Sequence, residues 1–143
     1  MEAEEFIRRV AIFKYLDQTA LGHLASKLEL VSLTEGPLMT EADPVDCLYI
    51  IKSGTARVTK VTDSGEQVVL AELKRGDSFG ELALIDGLGR SAEVTAMQPM
   101  ECYMLPHEAF LDAIDLYPGI AKAMLPVLAG MVREANKRVA GGG

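Results

Sequence analysis

The sequence predicts a mainly β protein, an antiparallel barrel or jelly roll carrying helices at both its N-terminal and C-terminal ends. Turn-forming clusters recur about every ten residues between residues 31 and 105, and the runs they separate are short and apolar. Before and after that region, apolar residues fall at spacings of three and four, the periodicity of helices that bury one face. Alternating strand and helix units do not fit, because the gaps between the β-rich runs leave no room for helices of about ten residues.

Residues 6–30 carry Phe6, Val10, Phe13, Leu16, Leu21, Leu24, Ala25 and Leu28 at helical spacing, broken near Asp17, which gives two short helices. Asp17 or Thr19 can cap the second of them by accepting its free N–H groups. Turns follow at Glu35-Gly36-Pro37, Asp43-Pro44, Lys52-Ser53-Gly54, Thr62-Asp63-Ser64-Gly65 and Lys74-Arg75-Gly76-Asp77. Between them, Val68-Val69-Leu70-Ala71 is apolar on both alternating sets, so that strand is expected to be covered on both faces. Strands resume over 92–97 and 101–105, and Pro106 opens the C-terminal region of 106–139, with helices over 107–116 and 118–139. Pro126 is expected to kink the second helix or shift its start, since it lacks an N–H and its ring crowds the preceding turn. Residues 140–143, closing on Gly141, Gly142 and Gly143, read as a flexible tail.

At 143 residues, 49% apolar and 24% charged, the chain has the size and composition of one globular domain spanning 1–143. The most apolar stretch, 124–132, contains Pro126 and Gly130 and falls far short of the roughly 20 apolar residues of a membrane span. The acidic start Met1-Glu2-Ala3-Glu4-Glu5 is unlike a secretory leader, so a cytoplasmic location and no membrane partner are expected. Cys47 and Cys102 lie far apart inside apolar runs and read as buried thiols. A net charge of −7 with scattered basic residues argues against direct nucleic-acid binding. His23 and His107 are the only histidines, so no histidine cluster is available for a catalytic metal; no nucleophile elbow or P-loop is present either. No catalytic residue, metal or cofactor is expected.

Function is carried by the segment 78–92, which interrupts the strands with a helical turn. Gly80 can adopt a backbone shape closed to other residues and let a ligand approach the main chain, and the turn beginning at Glu81 offers unpaired N–H groups to an anion. Arg90 can present two parallel donors to one phosphate. Glu81 would weaken an anion site unless it accepts a hydrogen bond from the same ligand, which a ribose hydroxyl supplies. A 3′,5′-cyclic nucleotide has one free ribose hydroxyl and a singly charged phosphodiester, matching one Glu, one Arg and one helix end.

Phe79-Gly80-Glu81-Leu82-Ala83-Leu84 followed by Arg90-Ser91-Ala92 closely resembles the phosphate-binding cassette of cyclic-nucleotide-binding domains, the β-roll of catabolite activator and protein kinase A regulatory subunits. The resemblance extends through Leu48-Tyr49-Ile50-Ile51-Lys52-Ser53-Gly54 and Arg75-Gly76-Asp77, and covers about 10–139. It implies a double-stranded β-helix, or jelly-roll β-roll, flanked by helices over 6–30 and 106–139, with the roll over 31–105. It further implies that Glu81 binds the ribose 2′-hydroxyl and that Arg90 and Ser91 bind the cyclic phosphate. The chain departs from the family in Gly89 where many members have Pro, in Glu93 where a small hydroxyl residue is common, and in lacking an aromatic on the last helix.

The function implied is a regulatory sensor of cAMP or cGMP, cAMP ahead, that signals through movement of its C-terminal helices. The expected contacts to sugar and phosphate are Phe79, Gly80, Glu81, Leu82, Ala83, Arg90, Ser91 and Ala92; Val68, Val69, Leu70, Arg133 and Asn136 are candidates for the base. Phe79 and Leu82 are expected to repack against the C-terminal helices, which are also the candidate contact for a protein partner or a second copy. The alternative is a degenerate β-roll acting as an interaction scaffold without nucleotide.

Overall fold

The structure is a computed structural model that describes residues 2–38, 46–88 and 92–142, with side chains to residue 138. Among the described residues eight strands form two four-stranded antiparallel sheets flanked by helices, the β-roll with helices expected from the sequence. The strands are β1 (Glu29–Leu33), β2 (Gly36–Pro37), β3 (Cys47–Ser53), β4 (Ala56–Val61), β5 (Gln67–Leu73), β6 (Ser78–Phe79), β7 (Glu93–Ala96) and β8 (Met100–Pro106). One sheet runs β1-β8-β3-β6 and the other β2-β7-β4-β5. The helices are α1 (Glu2–Arg8), α2 (Gln18–Ser26), α3 (Glu81–Asp86), α4 (His107–Leu116) and α5 (Gly119–Gly142).

Two apolar clusters divide the interior, and β3 is the wall between them. Its alternate residues Leu48 and Ile50 join the cluster under the helices, with Phe6, Phe13, Leu24, Leu105, Phe110, Ile120 and Met124. Cys47, Tyr49 and Ile51 point the other way, into the cluster between the sheets with Phe79, Val94, Ala96, Met100 and Cys102. The strand covered on both faces is therefore β3 and not β5, where Val68, Val69 and Leu70 are 39%, 52% and 55% exposed. An apolar run is buried on both faces only if material lies on both sides, and β5, an edge strand of its sheet, is exposed on both alternating sets from residue 67 to 72. Both cysteines are buried and neither forms a disulfide, and burial pushes the Cys102 thiol up to about 12.

The N-terminal helices differ from expectation at their start. Helix α1 begins at Glu2 because Glu2, Glu4 and Glu5 fill its first turn, where carboxylates complement the helix dipole, and Glu2 pairs with Lys52 at 3.4 Å. A 3-10 turn, Ala11–Phe13, separates it from α2, whose cap is Asp17 accepting the Ala20 N–H at 2.8 Å. At the other end α5 runs through Pro126 and on to Gly142, over residues expected to form a loose tail. Propagating an existing helix adds a hydrogen bond per residue, and glycine weakens that process by about 1 kcal/mol without forbidding it. Residues 131–138 of α5 are exposed throughout. Among the described residues no helix is long and apolar enough to cross a membrane.

Candidate functional site

The segment that builds the site leaves β5 through a tight turn. Asp77 donates its N–H to the Lys74 carbonyl at 2.9 Å while its carboxylate accepts the Lys74 N–H at 2.9 Å, and Gly76 supplies the positive φ of 91° that the turn needs. The chain is thereby delivered to the edge of β3, where Ser78 pairs with Ile50 and Phe79 with Tyr49. The Phe79 ring stacks on Tyr49 at 5.0 Å between centroids, with 11° between the planes. Phe79 thus belongs to the cluster between the sheets, not to the cluster under the C-terminal helices.

Gly80 follows with φ 88°, a left-handed conformation, and a Cβ there would drive into the carbonyl oxygen of Cys47. The sequence assigned Gly80 to the close approach of a ligand; the close approach seen is that of β3's own backbone. Helix α3 then runs six residues and ends at Gly87, φ 71°, whose N–H returns to the Ala83 carbonyl at 2.8 Å. The Leu84 carbonyl faces Nδ1 of His107 at 2.5 Å. A carbonyl only accepts, so Nδ1 carries the proton and donates, which ties the cassette helix to the first residue of α4.

Beside this turn lies a cavity of about 460 Å³, within the roughly 300–1,000 Å³ of small-molecule sites. One wall is the cassette: Ser78, Phe79, Gly80, Glu81, Leu82, Ala83, Asp86 and Ala92. The other is apolar strand surface from Val58, Ala71, Leu73 and Val94. The structure therefore brings Phe79, Gly80, Glu81, Leu82, Ala83 and Ala92 together around one space. Arg90 and Ser91, together with Gly89, lie outside the described residues.

Among the described lining residues there are two carboxylates and no cation. Each carboxylate has a fixed partner: Glu81 Oε1 accepts the Ser78 hydroxyl at 2.5 Å, and Asp86 Oδ1 accepts the Leu88 N–H at 2.9 Å. Glu93 is exposed and does not line the cavity, while its neighbour Val94 does, so the departure at residue 93 puts no charge on this wall.

The candidates for the base fall elsewhere. Val68, Val69 and Leu70 do not line the cavity, and Arg133 and Asn136 are exposed on α5. Pairing shifts between Val58↔Ala71 and Thr59↔Val69, which leaves Leu70 as the extra residue of a bulge. Ala71 and Leu73, beyond the bulge, form the wall, with Val58 across from Ala71. Ser78, Val58, Ala71, Leu73, Asp86 and Val94 were missed from the sequence. A strand's alternation could have offered Val58 and Leu73, but the bulge that sets which residues of β5 face inward has no local signature.

No group of side chains suited to a metal ion occurs among the described residues. Leu82, 63% exposed, forms part of the rim, and the cassette residue packed under the terminal helices is Leu84, buried with Phe110, Ala113, Ile120 and Met124.

Comparison with known proteins agrees with this geometry. The family model described as cyclic nucleotide-binding domain matches residues 34–117. An uncharacterized NTE family protein of Mycobacterium tuberculosis is 33% identical over 136 residues, 94% of this chain and 23% of the relative. A cAMP-dependent protein kinase regulatory subunit of Dictyostelium discoideum is 35% identical over 111 residues, 75% of this chain and 34% of the relative. The chain thus spans about a quarter to a third of the length of these curated relatives. Among solved structures, the N-terminal domain of a transcriptional regulator from Streptomyces coelicolor superposes with a TM-score of 0.79 at 28% identity, over 94% of each chain. With the β-roll in place and the family model matching residues 34–117, this chain belongs to the cyclic nucleotide-binding domain family.

Proposed function

We propose that residues 1–143 form one sensor domain that binds one cyclic nucleotide in this cavity, cAMP ahead of cGMP, and performs no chemistry on it. The observation that carries the reading is Glu81, a carboxylate that lines a cavity with an apolar strand wall and accepts the Ser78 hydroxyl. Glu81 accepts the ribose 2′-hydroxyl; Arg90 and Ser91, on the strength of the family resemblance, hold the cyclic phosphate, with Gly80, Leu82, Ala83 and Ala92 around the sugar. Phe79 supports the cassette from behind. Val58, Ala71 and Leu73 take over from Val68, Val69 and Leu70 as the wall for the purine. Arg133 and Asn136 reach the base only through movement of α5. That one relative is the regulatory subunit of a cAMP-dependent protein kinase favours cAMP.

The signal leaves the site through α3. Leu84 is buried among α4 and α5 residues and its carbonyl is held by His107, so a shift of the cassette on closing over ligand moves the C-terminal helices. Leu84 replaces Phe79 and Leu82 in that role. The exposed end of α5 then serves as the output surface, for which the proposed partner is a second copy of the chain. Ala121, Leu125, Leu128, Val132 and Ala135 follow the alternating four-three spacing of a coiled-coil seam, with Leu125 63% and Val132 60% exposed, and no charge interrupts the seam. The acidic chain acts in the cytoplasm without direct contact to nucleic acid or membrane.

Calorimetric titration with cAMP and cGMP tests the reading. Saturable binding at one site per chain is expected, lost on Arg90→Ala and weakened on Glu81→Gln. Ligand at about 100 times its dissociation constant should add roughly 2.7 kcal/mol to the unfolding free energy. Absence of binding and of any thermal shift with both nucleotides would leave the scaffold alternative. Unchanged chemical shifts of α4 and α5 at saturation would refute the switch, and a monomeric mass at high concentration would refute the paired α5.

A further inference from the structure

We infer that Ser78 is a positioning residue for Glu81, setting the preference of the site for a ligand with a free ribose 2′-hydroxyl; the inference rests on the cyclic-nucleotide reading above. Its basis is the 2.5 Å hydrogen bond from the Ser78 hydroxyl to Glu81 Oε1, between two side chains that both line the cavity. A hydroxyl donating to a carboxylate makes a charge-assisted hydrogen bond, and such bonds are about twice as strong as neutral ones.

The two partners are held by separate, rigid means. Ser78 is paired to Ile50 in the sheet, so its backbone does not depend on the cassette helix. Phe79 is stacked against Tyr49, and Gly80 is pressed against the Cys47 carbonyl, so the three-residue path from Ser78 to Glu81 has little freedom. Gly80 at the N-cap of α3 has no side chain of its own to cap the helix, and the Ser78 hydroxyl is directed to the Glu81 side chain.

An ionised carboxylate has acceptor sites on both oxygens. With Ser78 on Oε1, the rotamer of Glu81 is chosen before ligand arrives, and the remaining sites are presented as a fixed acceptor to a hydroxyl donor in the cavity. Freedom that would otherwise be lost on binding is already lost in the empty site, which raises affinity for the ligand that uses this acceptor and for no other.

The test is calorimetry on the full chain with cAMP and 2′-deoxy-cAMP, for the wild type, Ser78→Ala, Ser78→Thr, Glu81→Gln and the Ser78→Ala/Glu81→Gln pair. Urea unfolding of each variant checks that the fold is retained. Ser78→Ala is expected to weaken cAMP by about five- to tenfold, the worth of one hydrogen bond to a charged group's positioning, and to shift 2′-deoxy-cAMP less than twofold. Ser78→Thr, which keeps the hydroxyl, should restore cAMP affinity to within about threefold, and Ser78→Ala should add nothing once Glu81 is Gln. Equal weakening of both ligands, or unchanged cAMP affinity in Ser78→Ala, overturns the positioning role while leaving the nucleotide site standing. A wild type that binds neither ligand overturns both, and is told apart because it fails before any variant is compared.

Discussion

Gly80→Ala should be among the most damaging single-methyl changes available to this protein. The structure asks two things of the position. Its φ of 88° lies in the left-handed region, which costs a non-glycine residue about 1–2 kcal/mol. An added Cβ would also meet the Cys47 carbonyl oxygen well inside the 3.0 Å that real Cβ atoms respect, and that oxygen is backbone of the central strand and has no rotamer to escape through. Forcing two packed backbones apart costs about 1–3 kcal/mol in cores that have been overfilled, so the total is about 2–5 kcal/mol. Gly65 provides the control: its φ is 86°, yet nothing lies within 4 Å of its Cβ position, so Gly65→Ala should cost only the conformational share, about 1–2 kcal/mol. Urea denaturation of both variants gives the difference, and cyclic-nucleotide titration of Gly80→Ala reports whether the cassette still assembles. If the two variants fall within about 0.5 kcal/mol of each other, the contact with Cys47 has no energetic weight and the reasoning fails.

Four further outcomes follow from other parts of the fold. Asp17→Ala removes the cap of α2 and should cost about 0.5–2 kcal/mol in urea unfolding, with Thr19→Ala near neutral since the bond belongs to Asp17. His107→Ala strips the donor from the Leu84 carbonyl, so a loss of about 1–3 kcal/mol is expected, together with faster amide exchange in α3. Ile50→Ala should cost about 2–5 kcal/mol and Val69→Ser under about 0.5 kcal/mol, because β3 is buried on both faces and β5 is not; comparable losses would contradict the assignment of the central strand. The buried Cys102 thiol titrates at about 12 against 9.0 for an ordinary thiol. Above that ordinary value the unfolded chain loses the proton and the folded chain keeps it, so stability falls as pH rises from 9.0 toward 12, by up to about 1.4 kcal/mol per pH unit. Cys102→Ala should show a shallower alkaline decline in the same denaturation series.

What was legible in the sequence is what local chemistry decides. The cap at Asp17, the helix over His107–Leu116 after Pro106, the glycine turn of Lys74–Asp77 and the left-handed Gly80 each depend on a few adjacent residues, and each was readable from them. The cassette itself was readable for the same reason: Phe79 through Leu84 is one short segment whose residue types and order carry the resemblance. The gathering of Phe79, Gly80, Glu81, Leu82, Ala83 and Ala92 around one cavity follows from it.

The tertiary structure alone decided where each apolar run would find its cover. Cys47–Ile51 and Val68–Leu70 look alike as strings, yet one became the wall between two cores and the other an exposed edge, because burial depends on what the rest of the chain places on each side. It also decided the far wall of the cavity, where a bulge at Leu70 brings Ala71 and Leu73 into line with Val58, and the partner of Glu81, since the Ser78 hydroxyl meets the carboxylate only after β6 has paired with β3. The physical reason is common to all three: backbone preference acts over a few residues, whereas pairing register and packing are set by segments distant in the chain that must satisfy the same space.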